Sequence, residues 1–222
     1  MDAWCHRRHM GFCCAYRCCL GADHRVLHRY DLSVLEADPG SKLVIGLKEG
    51  TSKASFELAL NNNTLESVLN QLEVKSGDVI DIPAGLMHAI GSGILLAEVQ
   101  QNSDTTYRVY DWNRVGLDGK SRDLHIDKSL DTIDFDAMHS TERTLGTTTD
   151  HEGYTQTKYV ENKYFTLESV AVDANYSSRR KADFEIFMVL EGEGILTGNF
   201  DTLNIKKGDS LMIPNAILDY VF

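Results

Sequence analysis

The sequence predicts a mainly β chain built as two related β-domains, and three observations carry that prediction. One short pattern occurs twice, as Gly77-Asp78-Val79-Ile80-Asp81-Ile82-Pro83-Ala84-Gly85-Leu86-Met87-His88 and as Gly208-Asp209-Ser210-Leu211-Met212-Ile213-Pro214-Asn215-Ala216-Ile217-Leu218-Asp219. In each copy Gly-Asp suits a tight turn, the apolar run suits a buried strand, and Pro ends ladder pairing before the next strand begins. Short apolar runs of strand character also recur at 94–100, 165–172, 185–190 and 194–197. Finally, 222 residues hold either one large domain or two small ones. The copies differ at their last position. A neutral His88 suits a metal ligand, whereas Asp219 lies among apolar neighbours and suits a structural role.

Taken in order, the chain opens on a segment unlike the rest. All 5 cysteines fall at Cys5, Cys13, Cys14, Cys18 and Cys19, with His6, His9, His24 and His28 among them. Arg17 interrupts the one short apolar run, so a signal peptide is a poor fit. Cys14, Cys18, His24 and His28 are a candidate zinc set, but the gap between the two pairs is much shorter than in a zinc finger. The plainer reading of residues 1–31 is a divergent, disordered leader.

From Leu32 the character changes. Residues 33–37 read as a strand, Asp38-Pro39-Gly40-Ser41 as a turn, and 42–47 as the returning strand of a hairpin-like pair. Thr51-Ser52 can cap a helix from Lys53 with Phe56 and Leu60 on one face. Asn61-Asn62-Asn63 interrupts it, and Thr64 can cap a second helix in which Leu65, Val68, Leu69 and Leu72 follow helical spacing. The helical insertion thus spans 53–72, within a first domain over 32–139. Residues 140–153, rich in Thr and charge, are expected to link it to a second domain over 154–222.

The formal net charge of −11 argues against nucleic acid or an anionic membrane as the main partner, while leaving room for a local basic pocket that takes a phosphorylated substrate. No apolar stretch is long enough for a transmembrane helix. The segment 100–128 is dense in polar groups. Glu98, Gln100, Ser103, Asp104 and Arg108 can present carboxylate, amide and guanidinium groups to a pocket, Arg because its fork takes phosphate or carboxylate bidentately. A solvated loop with ordinary surface charge is the competing reading.

The stretches Leu35-Glu36-Ala37-Asp38-Pro39-Gly40, Ile82-Pro83-Ala84-Gly85-Leu86-Met87-His88-Ala89-Ile90-Gly91, 100–112 and Leu124-His125-Ile126-Asp127-Lys128 together resemble class I mannose-6-phosphate isomerase in its short bacterial form. The resemblance runs from about Val34 to the C-terminus. It implies two cupin-like jelly-roll barrels with a small helical insertion, the first barrel incomplete. It implies a zinc-dependent, cytoplasmic aldose-ketose isomerase that interconverts mannose 6-phosphate and fructose 6-phosphate. By the same resemblance His88 is a zinc ligand, Arg108 and Glu98 are catalytic, and Asp104 lies on the substrate wall. The family's upstream Gln-x-His-Pro and Gly-Lys-Thr-Glu ligand segments are absent here. The ligand glutamate should fall near Tyr30, and Asp31 is one place off, on the other face of a strand. An N-terminally truncated, inactive cupin-like remnant is therefore the alternative reading, since one His cannot make a zinc site.

Overall fold

A computed structural model describes residues 5–6, 9–10, 12–13, 30–100, 107–112, 119–136, 142–179 and 184–222. Short strands β1 (Cys5–His6), β2 (His9–Met10) and β3 (Phe12–Cys13) lie in the leader. The remaining leader residues, with Cys14, Cys18, His24 and His28, lie outside the described residues.

The first domain is formed by β4 (Tyr30–Ala37), β5 (Lys42–Leu47), α1 (Lys53–Asn61), a 3-10 turn (Leu65–Val68), β6 (Leu69–Glu73), β7 (Val79–Ile82), β8 (His88–Ile90) and β9 (Ile94–Gln100). Its strands make two sheets, ordered β3-β9-β4-β7 and β6-β5-β8, antiparallel except where β3 runs parallel to β9. The core lies between them: Leu32 and Val34 from β4, Ile80 and Ile82 from β7, and Ile94 and Leu96 from β9 pack against Leu43 and Ile45 from β5. On each strand these residues are two apart, as the pleat requires of one buried face.

Two expectations for this region need correcting. The strands flanking Asp38-Pro39-Gly40-Ser41 do not pair with each other. β4 pairs with β7 and β9, while β5 pairs with β6 and β8, so the turn carries the chain from one sheet to the other. Crossing over lets both apolar strands bury an inner face in the shared core, which a flat two-stranded pair cannot do. The helical insertion is also shorter than 53–72. α1 forms with Ser52 as its cap, the Ser52 side chain accepting from the Ser55 N–H and the Ser55 hydroxyl answering at the Ser52 N–H. The second helical pattern instead becomes one 3-10 turn, after which Leu69–Glu73 pairs with Lys42–Leu47 as a strand. Leu65 and Leu69 still bury their side chains, but against Val44 and Phe56 on the outer face of the β5 sheet.

That outer face carries a second apolar layer. Val109 joins it, and Leu130 and Ile133 flank it from α2 (Ile126–Thr132) and the residue that follows. Helix α2 begins inside the polar segment 100–128, for which the sequence reading gives no helix, and runs past its end.

Within 140–153 the chain is attached, and part of it is regular. The Arg143 guanidinium pairs with Asp78 at 2.7 Å and donates to the Glu73 carbonyl. The Thr144 N–H donates to the Val79 carbonyl, and the Asp81 N–H donates to the Thr144 hydroxyl. Thr147–His151 then forms strand β10. The second domain continues with β11 (Tyr154–Glu161), β12 (Thr166–Val172), β13 (Ser177–Arg179), β14 (Glu185–Met188), β15 (Glu193–Gly198), β16 (Phe200–Lys206), β17 (Ser210–Ile213) and β18 (Asp219–Val221). Its sheets are β10-β11-β12, β13-β18-β15-β16 and β14-β17. Its core gathers Leu196, Ile205, Ile213 and Tyr220 with Tyr176, Phe187 and Phe222. Val99, on the outer side of β9, packs with Val160 and Phe165, so the first domain shares an apolar contact with the second.

The sequence repeat is a structural repeat down to its hydrogen bonds. Gly77 and Gly208 have φ of 88° and 93°, the left-handed region that glycine enters without a Cβ clash. Asp78 accepts from the Lys75 N–H, and Asp209 from the Lys206 N–H, each at 2.9 Å. The Leu86 N–H donates to the Pro83 carbonyl and the Ile217 N–H to the Pro214 carbonyl.

Candidate active site

The strand after each Pro turn decides what reaches the interior. In the first domain His88 pairs with Ile45, and in the opposite sheet Glu98 pairs with Leu32. Cross-strand partners share a face. Ile45 and Leu32 are core residues, so His88 and Glu98 enter the interior from the two facing sheets. Gln100 follows on the same face of β9. Pro83 and the four residues after it join the end of β7, where Ile82 pairs with Tyr30, to His88.

The His88 Nδ1 lies 3.1 Å from the Leu86 carbonyl oxygen. A carbonyl only accepts, so Nδ1 carries the proton and donates. In the neutral ring the lone pair is therefore on Nε2, the atom that binds a cation or takes up a proton. Loss of hydration on burial lowers the His88 pKa, partly opposed by the Leu86 hydrogen bond, so the ring stays neutral at neutral pH. Burial also raises the Glu98 pKa, because the carboxylate loses its water. The pair thus combines a neutral base with a carboxyl group that holds its proton to higher pH than usual.

This sets up a test of the electrostatics. The folded state disfavours ionised Glu98, so its penalty is absent below the ordinary value of 4.5 and grows as pH rises through the higher folded value. Glu98→Gln is expected to raise the unfolding midpoint at pH 7 by a few degrees, on the order of 1 kcal/mol, with no gain at pH 4. Thermal melts of both proteins across this range decide it; an unchanged or lowered midpoint at pH 7 would refute the burial argument.

The other expected site residues divide. Asp31 is fully buried, but it alternates with the core residue Leu32 and pairs with Val99 and Asp81, so it lies on the outer face of its sheet. It is not in the compartment of His88. Arg108 is partly buried, and its backbone is held at both ends: its N–H donates to His125 Nδ1, and its carbonyl accepts from the His125 N–H at 2.7 Å. Asp104 and Ser103 lie outside the described residues. In the second domain the interior residue of the repeat is Tyr220, 2% exposed and hydrogen-bonded to Glu185, whereas Asp219 is exposed.

Sequence reading missed the clamp that holds the Arg108 loop. Arg122 donates through Nε and a terminal nitrogen to both oxygens of buried Asp111, and Trp112 Nε1–H donates to Glu66 at 2.7 Å. Asp111 and Arg122 are 11 residues apart and Glu66 and Trp112 are 46 apart, and no local pattern marks either pair.

Among the described residues, no group of three or more His, Cys, Asp or Glu side chains is placed to hold a metal ion. A catalytic zinc takes three protein ligands and keeps one position open. The described residues therefore do not fit a zinc centre, although His88 has the tautomer that one would need. Nor is any described helix long and apolar enough to cross a membrane.

Two successive β-sandwiches, each with the Gly-Asp to Ile-Pro turn unit, define a double-barrel protein of the cupin type. Residues 155–221 match the model of the mannose-6-phosphate isomerase cupin domain. Mannose-6-phosphate isomerase of Streptococcus mutans is 33% identical over 190 residues, covering 85% of this chain and 58% of that protein. The crystal structure of mannose 6-phosphate isomerase from Bacillus subtilis superposes with a TM-score of 0.80 at 28% identity, covering 87% of this chain and 61% of that one. A zinc-bound mannose 6-phosphate isomerase is 15% identical with a TM-score of 0.57 over 88% of this chain and 66% of that one, a likeness of fold alone. Over most of its length the chain is thus similar to mannose-6-phosphate isomerases, short bacterial forms among them, and its second domain matches that family's cupin model. It spans 58% of the length of the Streptococcus relative.

Proposed function

We propose that this chain catalyses, slowly, the interconversion of mannose 6-phosphate and fructose 6-phosphate in the cytoplasm. What supports this reading is that His88 and Glu98 lie on the inward faces of two facing sheets, in a chain whose relatives are named for that reaction. The reaction removes the proton on C2 of the aldose and returns a proton to C1, while a hydroxyl proton moves from O2 to O1. An enediol lies between the two. Glu98 has the character of a proton carrier for these steps, since a desolvated carboxylate is a stronger base and its acid form survives nearer neutral pH. Arg108 is the cation assigned to the phosphate or to the developing oxyanion. The zinc and the wall residue Asp104 belong to this reading as assignments from family resemblance, His88 being the ligand assigned to the metal.

A second reading has its own support. The described residues assemble no three-ligand group, which favours a non-catalytic cupin-like protein that at most retains sugar-phosphate binding. A coupled assay of the purified chain on mannose 6-phosphate, with and without added zinc, separates the readings. Slow, zinc-dependent conversion below about 1 per second supports the first. Conversion no faster than the blank supports the second. Turnover at or above about 1 per second overturns the assignment of slow catalysis, because the ligand set must then be complete in residues outside those described.

A further inference from the structure

A groove lies outside the first barrel, on the far side of the sheet that carries His88. Val44 and Ala89 pair across β5 and β8, on the face opposite Ile45 and His88. They line a groove of about 590 Å³ whose walls include Trp112, Glu66, Lys42 and Gln71. That volume falls within the usual range for small-molecule sites.

We propose that this groove binds a neutral saccharide ring. Its parts match such a ligand. A pyranose has apolar C–H faces and a rim of hydroxyls. Trp112 supplies a broad aromatic surface, and Val44 and Ala89 an apolar lining beside it. Gln71, Lys42 and Glu66 supply donors and acceptors for hydroxyls. The ionic groups along the groove are Lys42 against Glu66 and Asp38, a balance that gives a phosphate no net attraction.

The groove is also preformed. Trp112 has a φ of 51°, an uncommon and costly backbone for a bulky side chain, and it is held by the hydrogen bond to Glu66 and by Tyr110 at 5.2 Å between ring centroids. The far wall is two turns bonded together: the Asp38 N–H donates to the Gly93 carbonyl, Ser41 Oγ donates to the Ser92 carbonyl, and the Gly91 N–H donates to the Lys42 carbonyl. A Cβ on Gly91 would run into the Lys42 carbonyl oxygen, so only glycine permits this closure. A preformed site loses little entropy on binding.

This site is separate from the isomerase reading, because the sheet itself stands between the groove and His88. The chain has 2 tryptophans, and Trp4→Phe leaves Trp112 as a single fluorescent reporter. The full-length Trp4→Phe protein is titrated with methyl α-mannoside, methyl α-glucoside and mannose 6-phosphate, and the same additions are followed by saturation-transfer NMR. A saturating response to a neutral glycoside is expected, with a dissociation constant on the order of 1 mM. In that background Gln71→Ala and Lys42→Ala are each expected to weaken binding several-fold at unchanged melting temperature, and His88→Ala to leave it unchanged. No saturable binding of either glycoside by about 50 mM overturns the proposal. So does binding lost with His88→Ala but kept in the groove variants, or binding of mannose 6-phosphate tighter than of both neutral glycosides.

Discussion

Arg122→Ala is expected to destabilise the protein by about 3 kcal/mol, the largest effect of a single substitution outside the hydrophobic core. The Asp111 side chain is 10% exposed and both its oxygens accept from Arg122, so truncating the arginine leaves a buried carboxylate without its bidentate partner. The Arg122 side chain is 38% exposed, which places the loss at the low end of the range for buried pairs. The double substitution Asp111→Asn with Arg122→Met removes both charges and should recover much of the loss, because the penalty comes from the stranded charge and not from the absent attraction. Urea unfolding of the three proteins measures this directly. A loss below about 0.5 kcal/mol in Arg122→Ala would mean that the pair behaves as an ordinary surface bridge.

His88→Ala and Arg108→Ala are expected to separate two functions that both reduce turnover. With zinc added, His88→Ala should lower metal uptake and isomerase conversion together, since it removes the one nitrogen assigned to the metal. Arg108→Ala should leave metal uptake unchanged and reduce conversion by about 10² to 10³, the usual loss on removing a group that meets charge in the transition state. Asp219→Ala should change neither, since Asp219 is exposed and the interior place in its repeat is taken by Tyr220. Elemental analysis of dialysed protein and long end-point incubations supply the two readouts. Equal metal uptake in wild type and His88→Ala would remove His88 from any metal role.

The repeat and the two-domain β character were legible because Gly-Asp turns, apolar runs and Pro stops are local signals. α1 was legible for the same reason: its Ser52 cap and the spacing of Phe56 and Leu60 sit within one short window. What was not legible depended on partners distant in sequence. Leu65, Val68, Leu69 and Leu72 carry helical spacing, yet Leu69–Glu73 is claimed by pairing with a strand more than twenty residues earlier. The strands around Asp38-Pro39-Gly40-Ser41 carry hairpin chemistry, but nothing local says that each will join a different sheet. α2 begins at Ile126 without a side-chain cap, in a segment whose polarity reads as loop, and it forms because Leu130 and Ile133 find the apolar layer outside β5. In the candidate site, the place of His88 as first residue of the strand after the Pro turn was legible. The face of Asp31 followed from strand alternation once β4 was accepted. The Asp111–Arg122 clamp and the Trp112–Glu66 contact exist only in three dimensions.

The passage through Arg143 and Thr144 has a consequence beyond connecting two domains. β7 is the last strand of its sheet, and such a strand offers unpaired N–H and C=O groups to any extended peptide that drifts past. Here the Val79 carbonyl and the Asp81 N–H are already engaged by Thr144, and the ion pair of Arg143 with Asp78 fastens the segment beside them. The molecule thus guards the rim of its own sheet with the stretch that leads out of it. An edge that would otherwise be open to a strand from another molecule is covered, in part, by residues of the same chain.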